Sequence, residues 1–267
     1  ASPAPATAVV THALVGAGAN LKVGGLLVDA TASNSAIASM DSAGGGAVTL
    51  SGGTATTYVN DDTRAGISTP GAADPTTITA SGDVTVSAST TQRASSSAKR
   101  AGGGGFSVTE LSVTSVVAGG ARADLGDRLT LKARDLVLRA TIVATQADSA
   151  MTMSTGGLID VKKAKVDARS TTTTATAIGA HVVIATTGSV TVVATGRGEA
   201  DARAEVYGGG GITVGVPQSK AFVDPTVTTT IGAGTTITAK GDVTVTATLA
   251  SAPTTPRASR TGPPSAP

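Results

Sequence analysis

Residues 231–248 read IGAGTTITAKGDVTVTAT, and this stretch decides the fold because the chain repeats it. Residues 178–195 read IGAHVVIATTGSVTVVAT and align with it without a gap, 53 positions earlier. Residues 125–141, LGDRLTLKARDLVLRAT, begin another 53 positions earlier, with one residue missing before Asp135. Residues 76–89, TTITASGDVTVSAS, lie three periods before their C-terminal counterpart, and residues 15–31, VGAGANLKVGGLLVDAT, form a looser fifth copy. The chain therefore contains about five copies of a module of about 53 residues.

Apolar and polar residues alternate within each copy, which is the two-residue period of a β-strand with one buried face. Val243 and Val245 alternate with threonines, and small residues alternate with charged ones in residues 199–206 and 163–169. No window shows a helical spacing of apolar residues, and β-branched Thr and Val are abundant. The pattern predicts strands, with no helix outside short turns.

Glycine runs recur between these strands. Residues 102–105 and 208–211 are four-glycine runs two periods apart, and residues 44–46 and 156–157 fall at about the equivalent place. Glycine tolerates the positive φ of tight corners, so we interpret these runs as corners, together with the Gly-Asp pairs and Asn60-Asp61. A phosphate-binding loop needs Gly-Lys-Ser/Thr opening a helix, whereas residues 208–211 lead into a strand pattern.

These features predict an all-β chain, a single-stranded β-solenoid (β-helix) built from about five copies of the module around a narrow Ala/Val core. We expect each module to divide into two or three coils, so that ten to fifteen coils form a rod about 50 to 70 Å long at ~4.8 Å per strand. Inward alanines should let opposing sheets approach more closely than the ~10 Å usual for larger side chains. The core is expected to include Val86, Leu138, Val192 and Val243, with Thr85, Thr191 and Thr244 facing outward.

The solenoid is assigned to residues 15–250, between an N-terminal arm of residues 1–14 and a Pro-rich tail of residues 251–267. The tail holds five prolines, which favour an extended path over a strand ladder. We expect the tail, or residues 1–7, to pack on a neighbouring chain and support assembly into a homopolymer.

The composition excludes several classes of site and protein. The chain has no Cys, no Trp and two His, and aromatic residues make up 1% of it. Without Cys there is no disulfide framework, thiolate metal site or thiol nucleophile. No apolar run is long enough for a membrane-spanning helix, and the formal charge of +2 comes without the basic runs of a nucleic-acid-binding face.

A few acidic and histidine residues are candidate ligands or catalysts. A row of carboxylates at or beside one module position could bind calcium, but turn capping is the preferred interpretation of Asp29, Asp83, Asp135 and Asp242. His12 and His181 cannot form a repeated ligand set. The position of His181 holds unlike residues in the other copies (Gly18, Pro75, Arg128, Gly234), which indicates an exposed turn. We therefore assign no catalytic, cofactor-binding or metal-binding residue and expect no cofactor.

Two alternative functions remain open. A polysaccharide-acting β-helix enzyme would pair catalytic groups with aromatic platforms, whereas we interpret the aromatic residues beside the corners as plugs of the solenoid: Tyr58, Phe106, Tyr207 and Phe222. An ice-binding solenoid would present regular Thr ladders, for which Thr85, Thr191, Thr244 and Thr246 are candidates. The Thr ladders are interrupted at Ser87, Val137, Arg139 and Val193, which disfavours an ice-binding function.

The TxTITAxGDVTVTA pattern, followed by alternating Ala and a Gly-rich corner, resembles the repeats of large bacterial surface and secreted β-helical proteins, the filamentous-haemagglutinin-like adhesins. The resemblance covers most of residues 15–250 and transfers no functional residue. It implies an extracellular or cell-surface protein without catalytic activity, either an adhesin segment or a subunit of a self-assembling filament or matrix. Its expected partners are other copies of itself and a host-cell or matrix surface, with no nucleic acid.

Overall fold

The computed structural model describes residues 8–68, 71 and 73–250. In this part of the chain all regular structure is β, as the alternating pattern predicts, and the strands pair in parallel. The predicted tail of residues 251–267 and residues 1–7 lie outside the described residues. The strands are β1 (Val9–Val15), β2 (Asn20–Val23), β3 (Leu26–Ile67), β4 (Thr76–Ala80), β5 (Val84–Leu125), β6 (Leu129–Ala133), β7 (Leu136–Ile178), β8 (Val183–Thr186), β9 (Val190–Arg197), β10 (Ala200–Val223), β11 (Thr226–Ile231), β12 (Thr236–Ala239) and β13 (Val243–Ala250).

Each strand pairs with the strand one whole module further along the chain. Leu26 of β3 lies beside Val84 of β5, and Val190 of β9 lies beside Val243 of β13. No described ladder joins residues at a shorter spacing, so the expectation of two or three coils per module is wrong. One module forms one layer, and the expected rod of 50 to 70 Å is too long. The sheet β12-β8-β6-β4-β2 has five strands, which corresponds to a stack about 20 Å high.

The long strands explain why a module makes only one layer. β5 spans 42 residues, and its two halves face each other. The Gln92 side chain donates to the carbonyl of Ala118 at 3.2 Å, and the Ser96 hydroxyl donates to the carbonyl of Thr114 at 2.8 Å. We call the first half of each long strand the outgoing arm and the second half the return arm; the chain reverses between them at an apex.

The glycine runs lie at this apex, as predicted. Gly45, Gly103, Gly156 and Gly209 stack directly over one another from layer to layer. A Cβ on Gly103 would stand 2.2 Å from the carbonyl oxygen of Gly156, so the inner positions of this column exclude larger residues. Asn60-Asp61 is not a corner, because Asp61 is buried in the return arm of β3, where it accepts a hydrogen bond from Asn34 of the outgoing arm.

The stack has two parts, which we call the base and the fin. In the base, the outgoing arm, the return arm and the short strand that follows contribute Val, Leu and Ile side chains to one buried cluster, which includes Val86, Leu125, Leu131 and Leu138. The fin is the portion between base and apex, where the two arms pack through small residues such as Ala94, Ala98, Ala164 and Ala168. The hydroxyl contact from Ser96 to the opposite backbone shows the close approach of the arms that alanine was expected to permit.

Burial follows the predicted alternation except at the ends of the stack. Val86, Leu138 and Val192 are fully buried, as predicted, and Thr85, Thr191 and Thr244 are half-buried or exposed. Val243 was also expected to be buried, but 49% of it is exposed. It continues the column of Val190, but β13 has no described strand on its other side.

Candidate functional site

The interior of the fin is partly polar, which the expected Ala/Val core did not include. Asp61 is 1% exposed and accepts hydrogen bonds from the Asn34 amide at 2.6 Å and the Thr90 hydroxyl at 2.9 Å. Further toward the apex, the Thr57 hydroxyl lies 2.8 Å from that of Ser96. Buried polar groups need such partners, so these contacts fix the pairing of the two arms.

A buried ion pair lies behind the apex. Lys162 and Asp160 both have fully buried side chains, and Lys162 Nζ lies 2.9 Å from Asp160 Oδ2. The ammonium group also donates to the carbonyl of Thr155 at 2.9 Å and to the carbonyl of Tyr207 in the next layer. Asp160 accepts the Thr155 hydroxyl at 2.9 Å. The charged groups therefore satisfy backbone carbonyls and a hydroxyl near the chain reversal and link two layers.

The residues alternating with this polar interior form an exposed apolar surface. The inward positions beside the apex are polar, including Ser107, Thr109, Asp160 and Lys162, all of them buried. The outward positions on the same return arms are apolar and exposed. We call this surface the apex strip; it consists of the exposed Val48, Leu50, Phe106, Val108, Val161, Ile212 and Val214 and the half-buried Ile159.

The apex strip forms two main columns across four layers. Val48 lies beside Phe106, which lies beside Ile159, which lies beside Ile212, and a parallel column starts at Leu50. Phe106 is 53% exposed and Leu50 is 78% exposed. Contiguous apolar patches of this kind mark interaction surfaces. The strip is bordered by Glu110 and Lys163, whose side chains pair at 2.9 Å.

The aromatic residues were expected to plug the solenoid, but Phe106, Tyr207 and Phe222 are each more than 40% exposed. Tyr58 is half-buried. The sequence signal for the apex strip is an alternation in which the apolar residues point outward: Phe106 and Val108 alternate with the inward Ser107 and Thr109. Deciding which of the two alternating sets points outward requires knowing which face of the strand packs on the core. The sequence pattern alone does not show this.

The carboxylates weighed as calcium ligands make structural contacts instead at Asp83 and Asp135. Asp83, Asp135 and Asp242 occupy one column with Ser189, whereas Asp29 lies elsewhere, beside Ser87. Asp135 accepts the backbone N–H of Ser189 at 2.6 Å, so it caps the turn of the next layer, whereas the prediction was a bond to nearby N–H groups of its own turn. The hydrogen bonds that Asp83 accepts from Arg134 hold the pKa of that carboxyl below its ordinary value. Within residues 8–68, 71 and 73–250, no group of three or more His, Cys, Asp or Glu side chains is placed to hold a metal ion.

A neighbouring turn carries a carboxylate that joins three layers. Asp127 accepts the backbone N–H of Gly71 at 2.6 Å and that of Ala180 at 2.7 Å. These two hydrogen bonds lower the pKa of Asp127. The signal for this residue was its place in a Gly-Asp corner, but its contacts to two other turns required the structure.

The histidines lie apart and outside any site. His181 lies in an exposed turn with φ of 54°, in one column with Arg128 and Gly234, as the unlike residues at this position predicted. His12 Nε2 lies 3.1 Å from Asp62 Oδ2 near the N-terminal end of the stack.

The outward threonines form interrupted columns. Thr85, Val137, Thr191 and Thr244 are neighbours in one column, and Ser87, Arg139, Val193 and Thr246 in the next. The predicted interruptions therefore fall within the columns. Only the third column, Thr31, Ser89, Thr141, Thr195 and Thr248, carries a hydroxyl in every described layer.

Comparison with protein-family models, curated proteins and solved structures finds no match to this chain. The described residues include no helix long and apolar enough to cross a membrane.

Proposed function

We propose that the chain is a closed, single-stranded β-solenoid of about five modules that acts as an extracellular structural and adhesive element. It serves as a segment of a surface adhesin or as a subunit of a filament or matrix, without catalytic activity. The parallel stacking supports a structural role, because every layer adds a full set of backbone hydrogen bonds to its neighbours. The resemblance of the repeats to filamentous-haemagglutinin-like adhesins supports an extracellular or cell-surface location.

The apex strip is the single observation that carries the adhesive role. Its apolar side chains point away from the core although polar side chains fill the interior directly behind them. This arrangement lowers the stability of the fold, because apolar residues stay exposed while the charged Lys162 and Asp160 are buried. That arrangement is accounted for if the exposed face contacts another surface.

Contacts inside the fin hold this surface in place from behind. Its arms are held together by buried hydroxyl and amide contacts, and the apex is fixed by the Lys162 interactions. A rigid surface loses little conformational entropy on contact, so a strip of modest area can bind an apolar matrix or cell-surface component.

The test compares adsorption to methyl-terminated and hydroxyl-terminated monolayers on a quartz-crystal microbalance. The wild type is compared with the double variant Leu50→Ser, Phe106→Ser and with Leu27→Ser, which removes a 69% exposed leucine outside the strip. We expect the double variant to bind the methyl surface at least about tenfold more weakly, from the apolar area that it loses. The Leu27 variant should bind as the wild type does.

Equal binding by all three proteins would overturn the adhesive role of the strip. Measurable cleavage of anionic or neutral polysaccharides would overturn the proposal that the chain is not an enzyme.

A further inference from the structure

We propose that the fin binds chloride, a small monovalent anion, at the buried guanidinium group of Arg100. The site lies in the apex interior, the space between the two arms lined by inward residues such as Ser42, Arg100 and Thr109. It is separate from the outward-facing apex strip, so this inference does not rest on the adhesive role.

Arg100 occupies an inward position at the end of the outgoing arm of β5, two residues before the four-glycine run. Only 8% of it is exposed. Its guanidinium group reaches the preceding layer, where Nη1 donates to the Ser42 hydroxyl at 3.2 Å. The Nε atom is buried without a hydrogen-bond partner. Since an arginine side chain stays charged and carries several N–H donors, this buried cation has unused capacity to bind an anion.

The arm opposite Arg100 does not neutralise it. None of the described carboxylate oxygens lies within 4.0 Å of its guanidinium nitrogens. Continuing by four residues the register in which Ser96 faces Thr114 places Arg100 opposite Glu110. Glu110 points outward, however, and its carboxylate pairs with the exposed ammonium group of Lys163 at 2.9 Å. A buried charge without a partner is strongly destabilising, which favours a counter-ion from solution.

The apex interior carries an excess of positive charge among the described residues. Lys162 is buried in the following layer, but Asp160 lies 2.9 Å from its ammonium group and compensates it. The buried carboxylate of Asp61 contacts Asn34, which precedes Ser42 by eight residues along β3, or about 26 Å at ~3.3 Å per residue. Two buried cations therefore stand against one carboxylate near the apex, and a monovalent anion restores the balance.

Hydroxyl groups beside the guanidinium supply further donors. Ser51 and Thr109 occupy inward positions of the return arms next to the position opposite Arg100, and their hydroxyl oxygens lie 3.1 Å apart. One hydroxyl of such a pair donates to the other, and the hydrogen of the accepting hydroxyl stays free for an anion. Charge-assisted hydrogen bonds from a guanidinium, joined by a hydroxyl donor, stabilise a negative charge in this interior.

The surroundings favour a single-atom anion. On the apex side, a Cβ on Gly44 would stand 3.6 Å from Arg100 Nη2, so no side chain covers the guanidinium there. Gly44 is exposed, which gives a small ion a path past the glycine run. On the base side, Met40 and Leu111 belong to one apolar cluster. Sulfate or phosphate would bring several oxygens and a second charge into this narrow space, whereas chloride matches the excess of one positive charge.

The chain itself indicates the variant that removes the site. Arg100 stacks on Ser42 in the layer before it, and Met153 and Val206 hold this position in the layers that follow. Arg100→Met therefore copies a residue that the next layer buries at the same place. Lys99→Met is the matched control, because it removes the same charge from the adjacent, exposed position. Ser42→Asp is the complementary variant and places a carboxylate beside Nη1 within the chain itself.

Thermal melts followed by circular dichroism are recorded as sodium chloride replaces sodium gluconate at constant ionic strength. We expect the melting temperature of the wild type and of Lys99→Met to rise by about 3 to 5 °C when chloride reaches about ten times its dissociation constant. Arg100→Met and Ser42→Asp should show no such rise, since the first lacks the cation and the second carries its own counter-ion.

Chloride NMR measures binding without reference to stability. The wild type and Lys99→Met should broaden the chloride line, and Arg100→Met at the same protein concentration should lose that broadening. Equal broadening by the wild type and Arg100→Met, or none by either, would overturn the site. A melting temperature of Arg100→Met that rises with chloride as the wild type's does would overturn it as well. Arg100→Met alone decides the question if Ser42→Asp loses the β signal.

Discussion

Gly103 and Gly156 lie in direct register at the apex, so close that a Cβ on Gly103 would stand 2.2 Å from the Gly156 carbonyl oxygen. The glycine runs are therefore required by the spacing between layers as well as by the chain reversal. At the C-terminal end of the same column, a Cβ on Gly209 would meet nothing within 4 Å.

This column provides a matched pair of alanine substitutions. We expect Gly103→Ala to lower the free energy of unfolding by about 1 to 3 kcal/mol, because the methyl group forces the layers apart. Gly209→Ala should change stability by no more than a few tenths of a kcal/mol. Urea unfolding followed by circular dichroism measures both, and equal effects would contradict the steric account.

The Lys162–Asp160 pair gives a second prediction. We expect Lys162→Met to cost about 3 to 5 kcal/mol, because it leaves the Asp160 carboxylate buried without its cation. The double variant Lys162→Met, Asp160→Leu should recover most of that loss, since an apolar pair of similar size needs no charge compensation.

Urea unfolding of the two single variants and the double variant measures the coupling. Additive losses would show that the two charges do not depend on each other. Lys163→Met is the control, because its ammonium lies one residue away and faces outward.

The lowered pKa of Asp127 predicts one component of the pH dependence of the free energy of unfolding. Its pKa is lowered from the ordinary value of 3.8 by the N–H groups of Gly71 and Ala180. A carboxyl with a lowered pKa in the folded state stabilises the fold above pH 3.8 and loses that contribution as the pH falls through the folded pKa. Asp127→Asn should therefore be less stable than the wild type at pH 6, and the difference should shrink below pH 3.8. Thermal melts across this range test it; a constant difference would refute the assignment.

The single-layer module predicts the mechanical response of the chain. In force spectroscopy, detaching one layer of 53 residues should lengthen the chain by about 180 Å, from ~3.3 to 3.6 Å per extended residue. Modules of two or three coils would instead give steps one half or one third as long. The sawtooth spacing measures this directly.

The sequence predicted the strands, the module period and the glycine corners because each rests on local pattern. The predicted number of coils per module was wrong, since the strand patterns on the two sides of residues 102–105 do not reveal that the two arms face each other. The residue missing before Asp135 also has a non-local explanation. The register between β5 and β7 shifts after Thr90, where β7 accommodates the extra residue Val143, and the spacing of 53 is restored.

The candidate site was harder to predict for a related reason. Asp61 follows Asn60 in a pair typical of turns, yet the register of β3 turns it inward toward Asn34 and Thr90. Near the apex, the same alternation of inward and outward positions along the return arm places Phe106 on the outward face. Alternation states that two faces differ, but only the packing of the arms determines which face is buried.

The corner between β3 and β4 is longer than its counterparts. Eight residues separate Ile67 from Thr76, whereas three separate Leu125 from Leu129, yet the ladders on both sides stay in register. The additional residues at this corner therefore leave the pairing of the flanking strands unchanged. A foreign peptide grafted there would be displayed at the side of the stack, which makes this corner the natural insertion point for an epitope or a tag.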